Sequence, residues 1–146
     1  MLARCYSNET LKDNPTYRGC TVCSEWLRFT TFKKWMEKQK WEGMQLDKDI
    51  LIQGNKVYSP KACLFIPLKI NIIFKTKPKS SNSLPQGVSK LNGKFRCWHN
   101  KKHLGMFNTA DLAFEAYKSS KYSLIKEIAL KQSEPLRSAM LCWVIK

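Results

Sequence analysis

The stretch QGVSKLNGKFRCWHNKKHLGMF, residues 86–107, decides how the second half of this chain folds. Residues alternate with period two on either side of HNKK, which predicts a β-hairpin. Phe95 and Cys97 occupy one phase, and Lys94, Arg96 and Trp98 the other. Asn92–Gly93 is a strong signal for a tight two-residue turn and adds a strand around Val88. Three strands are therefore predicted, around Val88, over 95–99 and over 103–107. Downstream, NTADLAFEAYKSSKYSLIKEIALKQ reads as a helix with Thr109 as N-cap and Asp111 in the first turn, where the helix dipole favours it. Ala113, Ala116, Tyr117, Ser120, Leu124 and Ile128 recur at helical spacing, a stripe suited to the apolar phase of the sheet. Pro135 ends this region, and LRSAMLCWVIK is an apolar tail expected to dock or pair.

The basic phase has a counterpart in the charge of the whole chain. Its 146 residues carry 26 Lys and Arg against 11 Asp and Glu, a net charge of +15. The excess is uneven: residues 1–74 hold 12 basic and 7 acidic residues, residues 75–107 hold 8 basic and none acidic, and residues 108–146 hold 6 and 4. Such a concentration attracts a polyanion, and nucleic acid is the usual one. A hydrophobic content of 43% is enough for a core, which separates the chain from disordered polyelectrolytes. A membrane is not expected as partner. The apolar run ACLFIPLKINIIF is too short to span one and is broken by Pro67, Lys69 and Asn71, while the charge follows a strand pattern instead of an amphipathic helix. The start, MLARCYSNETLKDNP, has no apolar signal region. Cys5, Cys20, Cys23, Cys63, Cys97 and Cys142 are then expected as free thiols in a reducing cytoplasm, that of an infected host cell if the protein is phage-encoded.

Composition divides the chain into residues 1–74, a basic linker KTKPKSSNSLPQ at 75–86, and residues 87–146. The linker lysines Lys75, Lys77 and Lys79 are expected to meet phosphates. In the first segment, TTFKKWMEKQ places Phe32, Trp35 and Met36 on one helical face, a core face, with Thr30 or Thr31 as cap. MQLDKDILIQGNKVYSPKACLFIP reads as a strand into LDKD, a turn at QGN, a second strand at KVY and a break at SP. PLKINIIF then starts a short helix after Pro67. The fold class is α+β: a small ββα-containing segment followed by a three-stranded antiparallel sheet packed on one helix.

The second segment resembles the AP2 DNA-binding domain. The likeness covers residues 86–128 approximately: a Gly-Val opening, a Gly-Lys-aromatic second strand, LGMF in the third, and Thr-x-x-x-Ala-x-x-Ala-Tyr on the helix. Domains of that family enter the major groove with a three-stranded sheet, which implies double-stranded DNA as partner. Carried over, the DNA-facing set is Lys90, Lys94, Arg96 and Trp98, with Lys101, Lys102 and His103 at the rim. Arg96 would be bidentate to guanine and the lysines would meet phosphates. Ser89 stands where the family usually has Arg.

Residues 4–74 are similar to the phage-type HNH endonuclease segments found ahead of AP2-like domains, on YRGCTVCSEWLRFTTFKKWM and LDKDILIQGNKVYSPKACLFIPLKIN. In that family a ββα unit holds one divalent metal, and a His activates water for attack on phosphate. The resemblance matches Asp47 to the metal-binding Asp and puts Lys48 at the general-base position, Ala62 at the central Asn, and Asn71 near the closing residue. It also places Met1 in the middle of a longer first helix. A solvated lysine is protonated at neutral pH and takes no proton. Asp47, Asp49 and Asn55 would still collect Mg2+ through oxygen ligands. The lone C-x-x-C of Cys20 and Cys23 would need Cys5 and Cys63 to complete a zinc set, so no structural zinc is expected, and Val22 and Cys23 read as core beside Trp26. Two functions follow. One is a homing-type DNA endonuclease with a degenerate catalytic motif. The other is a catalytically inactive regulator or inhibitor that binds DNA or a host nucleic-acid-handling protein. An RNA-associated basic protein would fit the charge without asking for an AP2-like sheet.

Overall fold

The computed structural model describes residues 1–75 and 84–145, so Lys77 and Lys79 lie outside the described residues. The fold is α+β, in two compact units, Met1–Phe74 and Lys75–Lys146.

In the first unit, α1 (Leu2–Tyr6) and α2 (Asn8–Asp13) are joined at Ser7, whose hydroxyl accepts from the Thr10 N–H and caps α2. A 3-10 turn over Pro15–Tyr17 leads to β1 (Thr21–Val22), a second such turn over Ser24–Leu27, and α3 (Phe29–Met36). Then come β2 (Met44–Asp47), β3 (Val57–Tyr58), β4 (Leu64–Pro67) and α4 (Leu68–Phe74). The core collects Cys5, Cys20, Val22, Trp26, Tyr58 and Cys63, with Cys23 partly buried against it. Trp26 is its centre. Phe32 meets it edge-on at 5.1 Å and Trp35 lies at 4.5 Å, while Trp35 stacks on Phe65 at 5.6 Å. This is the aromatic face expected of α3. Its start differs from expectation: Arg28 is the N-cap, with no side-chain cap bond, and Thr30 and Thr31 fall inside the first turn.

The strand pairing in this unit also departs from the sequence reading. The KVY strand does not pair back on β2. Val57 and Tyr58 lie parallel to Thr21 and Val22, and the antiparallel partner of β2 is β4, with Asp47 opposite Leu64. The intervening loop is therefore much longer than a QGN turn. A turn signal marks where the chain bends, and burial of Tyr58 in the core decides which strand it pairs with.

In the second unit, β5 (Val88–Leu91), β6 (Lys94–His99) and β7 (Lys102–Phe107) form an antiparallel sheet with β6 in the centre. Helix α5 (Ala110–Ala129) packs across all three strands, and α6 (Leu136–Leu141) packs on α5. Both hairpin turns are the two-residue kind with positive φ at both positions: Asn92 at 48° and Gly93 at 76°, then Asn100 at 47° and Lys101 at 62°. Thr109 caps α5 by accepting from the Leu112 N–H. Cys97 and Gly105, paired across β6 and β7, keep the helix-facing side small, which lets α5 lie close. The buried stripe of α5 is Ala113, Tyr117, Lys121, Ile125 and Ala129, one residue round from much of the predicted set. The apolar tail docks as expected, burying Leu136 and Met140, and the Ile145 N–H donates to the Tyr122 hydroxyl.

Lys121 and His99 share this helix–sheet interface. Lys121 is 4% exposed, with its ammonium over the Tyr117 ring at 5.7 Å. The His99 ring meets Tyr117 edge-on at 5.1 Å, and its Nδ1 is 2.9 Å from the Ser120 hydroxyl. Burial, and then the Lys121 charge, hold the His99 imidazole below its ordinary pKa of 6.5. A histidine depressed in the folded state contributes stability that is present above 6.5 and lost as pH falls through the lowered folded value. Thermal unfolding of the full chain should therefore move to lower temperature on acidification below pH 6.5. His99→Gln, which keeps a polar partner for Ser120, should remove that part of the dependence. An unchanged slope in the variant would assign the acid sensitivity to other groups.

Candidate functional site

Register on the sheet sorts the candidate DNA-binding residues. Directly opposed residues of an antiparallel pair point to the same face. Cys97 is fully buried beneath α5, so Phe95, Cys97 and His99 and their partners share the helix side. The other face carries three rows: Leu91 with Lys94, Ser89 with Arg96 and Met106, and Trp98 with His103. Lys94, Arg96 and Trp98 thus lie together on the central strand as the alternation predicts, and His103 joins them as more than a rim residue. A register shift between Cys97 and Trp98 is what brings His103 opposite Trp98, with ring centroids 5.1 Å apart.

Lys90 is a correction. Its even number places it in phase with Lys94 only if the strand continues straight, but the Asn92–Gly93 turn folds the chain back and pairs Lys90 with Phe95. It therefore emerges on the helix side of the edge strand, where it is exposed. Lys102, paired with His99, shares that side, and Lys101 occupies the turn. Lys75 is exposed in the linker.

Arg96 is held in place by its neighbours. Its Nε donates a long 3.4 Å hydrogen bond to the Ser89 hydroxyl, and the guanidinium stands 5.9 Å from the centre of the Trp98 ring. Ser89, noted in the sequence only as a departure from the AP2 pattern, is a support for Arg96. Trp98 is 42% exposed, so it is not a core residue. Among the described residues these contacts engage Nε and one flank of the guanidinium, so its two Nη groups can donate to a ligand.

The second candidate site surrounds Asp47 at the end of β2. Asp47 Oδ1 accepts from the Asp49 N–H at 2.9 Å and the Ile50 N–H at 2.7 Å. Burial, and then the neighbouring Asp49 charge, push its carboxyl above the usual aspartate range despite those two donors. Lys48 is buried, and its Nζ donates to the Asn55 carbonyl at 3.0 Å and lies 3.4 Å from Asp49 Oδ2. The Asn55 amide donates to the carbonyls of Lys48 and Val57, and its Oδ1 accepts from the Val57 N–H. Asn55 is thus a staple for the long loop, with both ends of its side chain occupied by backbone. Asn71 sits half-buried in α4.

Of the set Asp47, Asp49 and Asn55, Asp47 Oδ1 is engaged by backbone, the Asp49 carboxylate faces the Lys48 ammonium and the Asn55 amide is committed to the loop. Among the described residues no group of three His, Cys, Asp or Glu side chains converges as a metal site. Burial pushes the Cys63 thiol up to about 12, so it stays protonated at neutral pH.

Arg4 is the residue of this site that sequence reading missed. Its guanidinium hydrogen-bonds Tyr58, lies over the Tyr17 ring at 5.4 Å and acts electrostatically on Asp47. Nothing in the local pattern of α1 signals this, because the three partners come from distant parts of the unit. An open depression of about 360 Å³ lined by Glu37, Gln39, Lys40, Trp41 and Glu42 contains none of the candidate residues. Among the described residues, no helix is long and apolar enough to cross a membrane. No family model, curated protein or solved structure matches the chain.

Proposed function

We propose that this protein binds double-stranded DNA and reads sequence in the major groove with the outer face of β5–β7, as an AP2-like module would. The observation that carries the reading is Arg96 at the middle of the central strand, held by Ser89 and Trp98 and flanked by Lys94 and His103. Three strands span about 10 Å, which suits a major groove about 12 Å wide. Residues on one strand face recur every roughly 6.7 Å, about two base-pair steps, so Lys94, Arg96 and Trp98 meet successive positions along the groove. Residues 75–107 hold 8 basic and no acidic side chains, which supplies the phosphate attraction. Lys90, Lys101 and Lys102, at the edges and the turn, serve phosphates and not bases. A-form RNA has a major groove too narrow for such a sheet, so duplex RNA binds more weakly.

In residues 1–74, β2 paired with β4 and followed at once by α4 has the ββα order of an HNH-like unit. Its catalytic position is filled by a buried, paired Lys48, which favours the inactive reading over the nuclease.

The test is selection from a pool of randomised duplexes, followed by affinity measurement across salt. Arg96→Ala should cost about 1–3 kcal/mol on the selected sequence and much less on random DNA. Lys102→Ala should weaken both about equally and reduce the salt slope by about one. Absence of any sequence preference, or an Arg96→Ala loss equal on all duplexes, would overturn groove reading.

A further inference from the structure

We propose that Met106 is a specificity-determining residue, packing against the 5-methyl group of a pyrimidine beside the guanine that Arg96 reads. This rests on the DNA-binding reading above. Met106 is directly opposite Arg96 on the outer face, at the edge strand β7, and is 41% exposed. Opposed side chains on one sheet face start about 5 Å apart, so the two reach neighbouring points of a single surface. An unbranched thioether left in water next to a guanidinium has no partner in the core to explain it, because its phase faces away from α5. Among base edges in the major groove the C5-methyl of thymine is the apolar feature, and an apolar side chain is its complement. Methionine suits the role because its flexible, polarisable chain adapts to a small methyl target. The outer face then combines a donor fork for guanine at Arg96 with an apolar contact at Met106 in one row. The ligand chemistry is a 5-methylpyrimidine, which thymine or 5-methylcytosine would supply.

The selected duplex supplies the test. Each thymine next to the Arg96-dependent guanine is replaced by deoxyuridine, which removes only the methyl group. In a parallel series cytosine or 5-methylcytosine is placed there. Removing the methyl should weaken wild-type binding about fourfold, the value of one buried methyl group. Restoring it on cytosine should recover affinity if the methyl alone is read, and failure to recover would assign recognition to thymine as a base. Met106→Gln, of similar length and on an exposed site, should bind methylated and unmethylated duplexes equally with an unchanged melting temperature. Equal wild-type affinity for thymine and deoxyuridine at every position would overturn the Met106 contact while leaving the DNA reading intact. Loss of all duplex preference in the wild type would overturn both.

Discussion

Gly87→Ala should unfold the second unit or bring it close to unfolding, a loss of about 2–5 kcal/mol from backbone strain and overpacking together. Gly87 has φ +81°, a conformation L side chains rarely adopt. A Cβ there would run into the Tyr117 ring and stand 2.7 Å from the Trp98 carbonyl oxygen. The ring is buried and the carbonyl is backbone, so neither yields easily. The Gly87 carbonyl also accepts the Trp98 N–H at 2.8 Å, so displacing it opens the β5–β6 ladder beside Arg96 and Trp98. Gly93→Ala is the control. Its φ is +76°, but nothing lies within 4 Å of the added Cβ, so only backbone strain of about 1 kcal/mol remains. Chemical denaturation of both variants separates the two terms. Equal losses would show that conformation alone, and not the approach of Tyr117, demands glycine at 87.

Asp47→Ala should destabilise the first unit by about 2–4 kcal/mol, because two backbone donors lose their acceptor. Asp47→Asn should instead leave stability unchanged or raise it at pH 7. The amide oxygen still accepts from Asp49 and Ile50, and the buried charge beside Asp49 is gone. An aspartate whose folded pKa is raised binds its proton more tightly when folded, so the wild type gains stability as pH falls through that raised value. The Asn variant should lack this gain. Urea unfolding at pH 7 and pH 4.5 measures it. On supercoiled plasmid with magnesium, wild type and both variants are expected to leave the DNA intact. Chelator-sensitive nicking by the wild type, lost in Asp47→Asn, would restore the endonuclease reading. Destabilisation by Asn as large as by Ala would show that the charge itself, facing Arg4, is needed.

Much of the second unit was legible in its sequence. Period-two alternation, Asn92–Gly93 and Thr109 are local signals, each acting within a few residues, and strands, turn and cap lie where they indicate. The face that Arg96 and Trp98 occupy follows from the same period. What alternation does not carry is the relation between strands. The phase of Lys90 depends on how the turn pairs it with Phe95, and His103 reaches Trp98 only through a register shift. Lys121 lies outside the predicted helix stripe, yet the geometry of α5 over Tyr117 buries it, because its long apolar stem packs while its ammonium meets a ring. The first unit owed still more to tertiary structure. Short strands such as Val57–Tyr58 hold too little local pattern to choose a partner, and burial against the Trp26 core made the choice. Asp47, Lys48 and Asn55 were identifiable by residue type alone. Their roles as turn acceptor, buried donor and loop staple came from hydrogen bonds spanning three to seven residues, which no periodicity encodes.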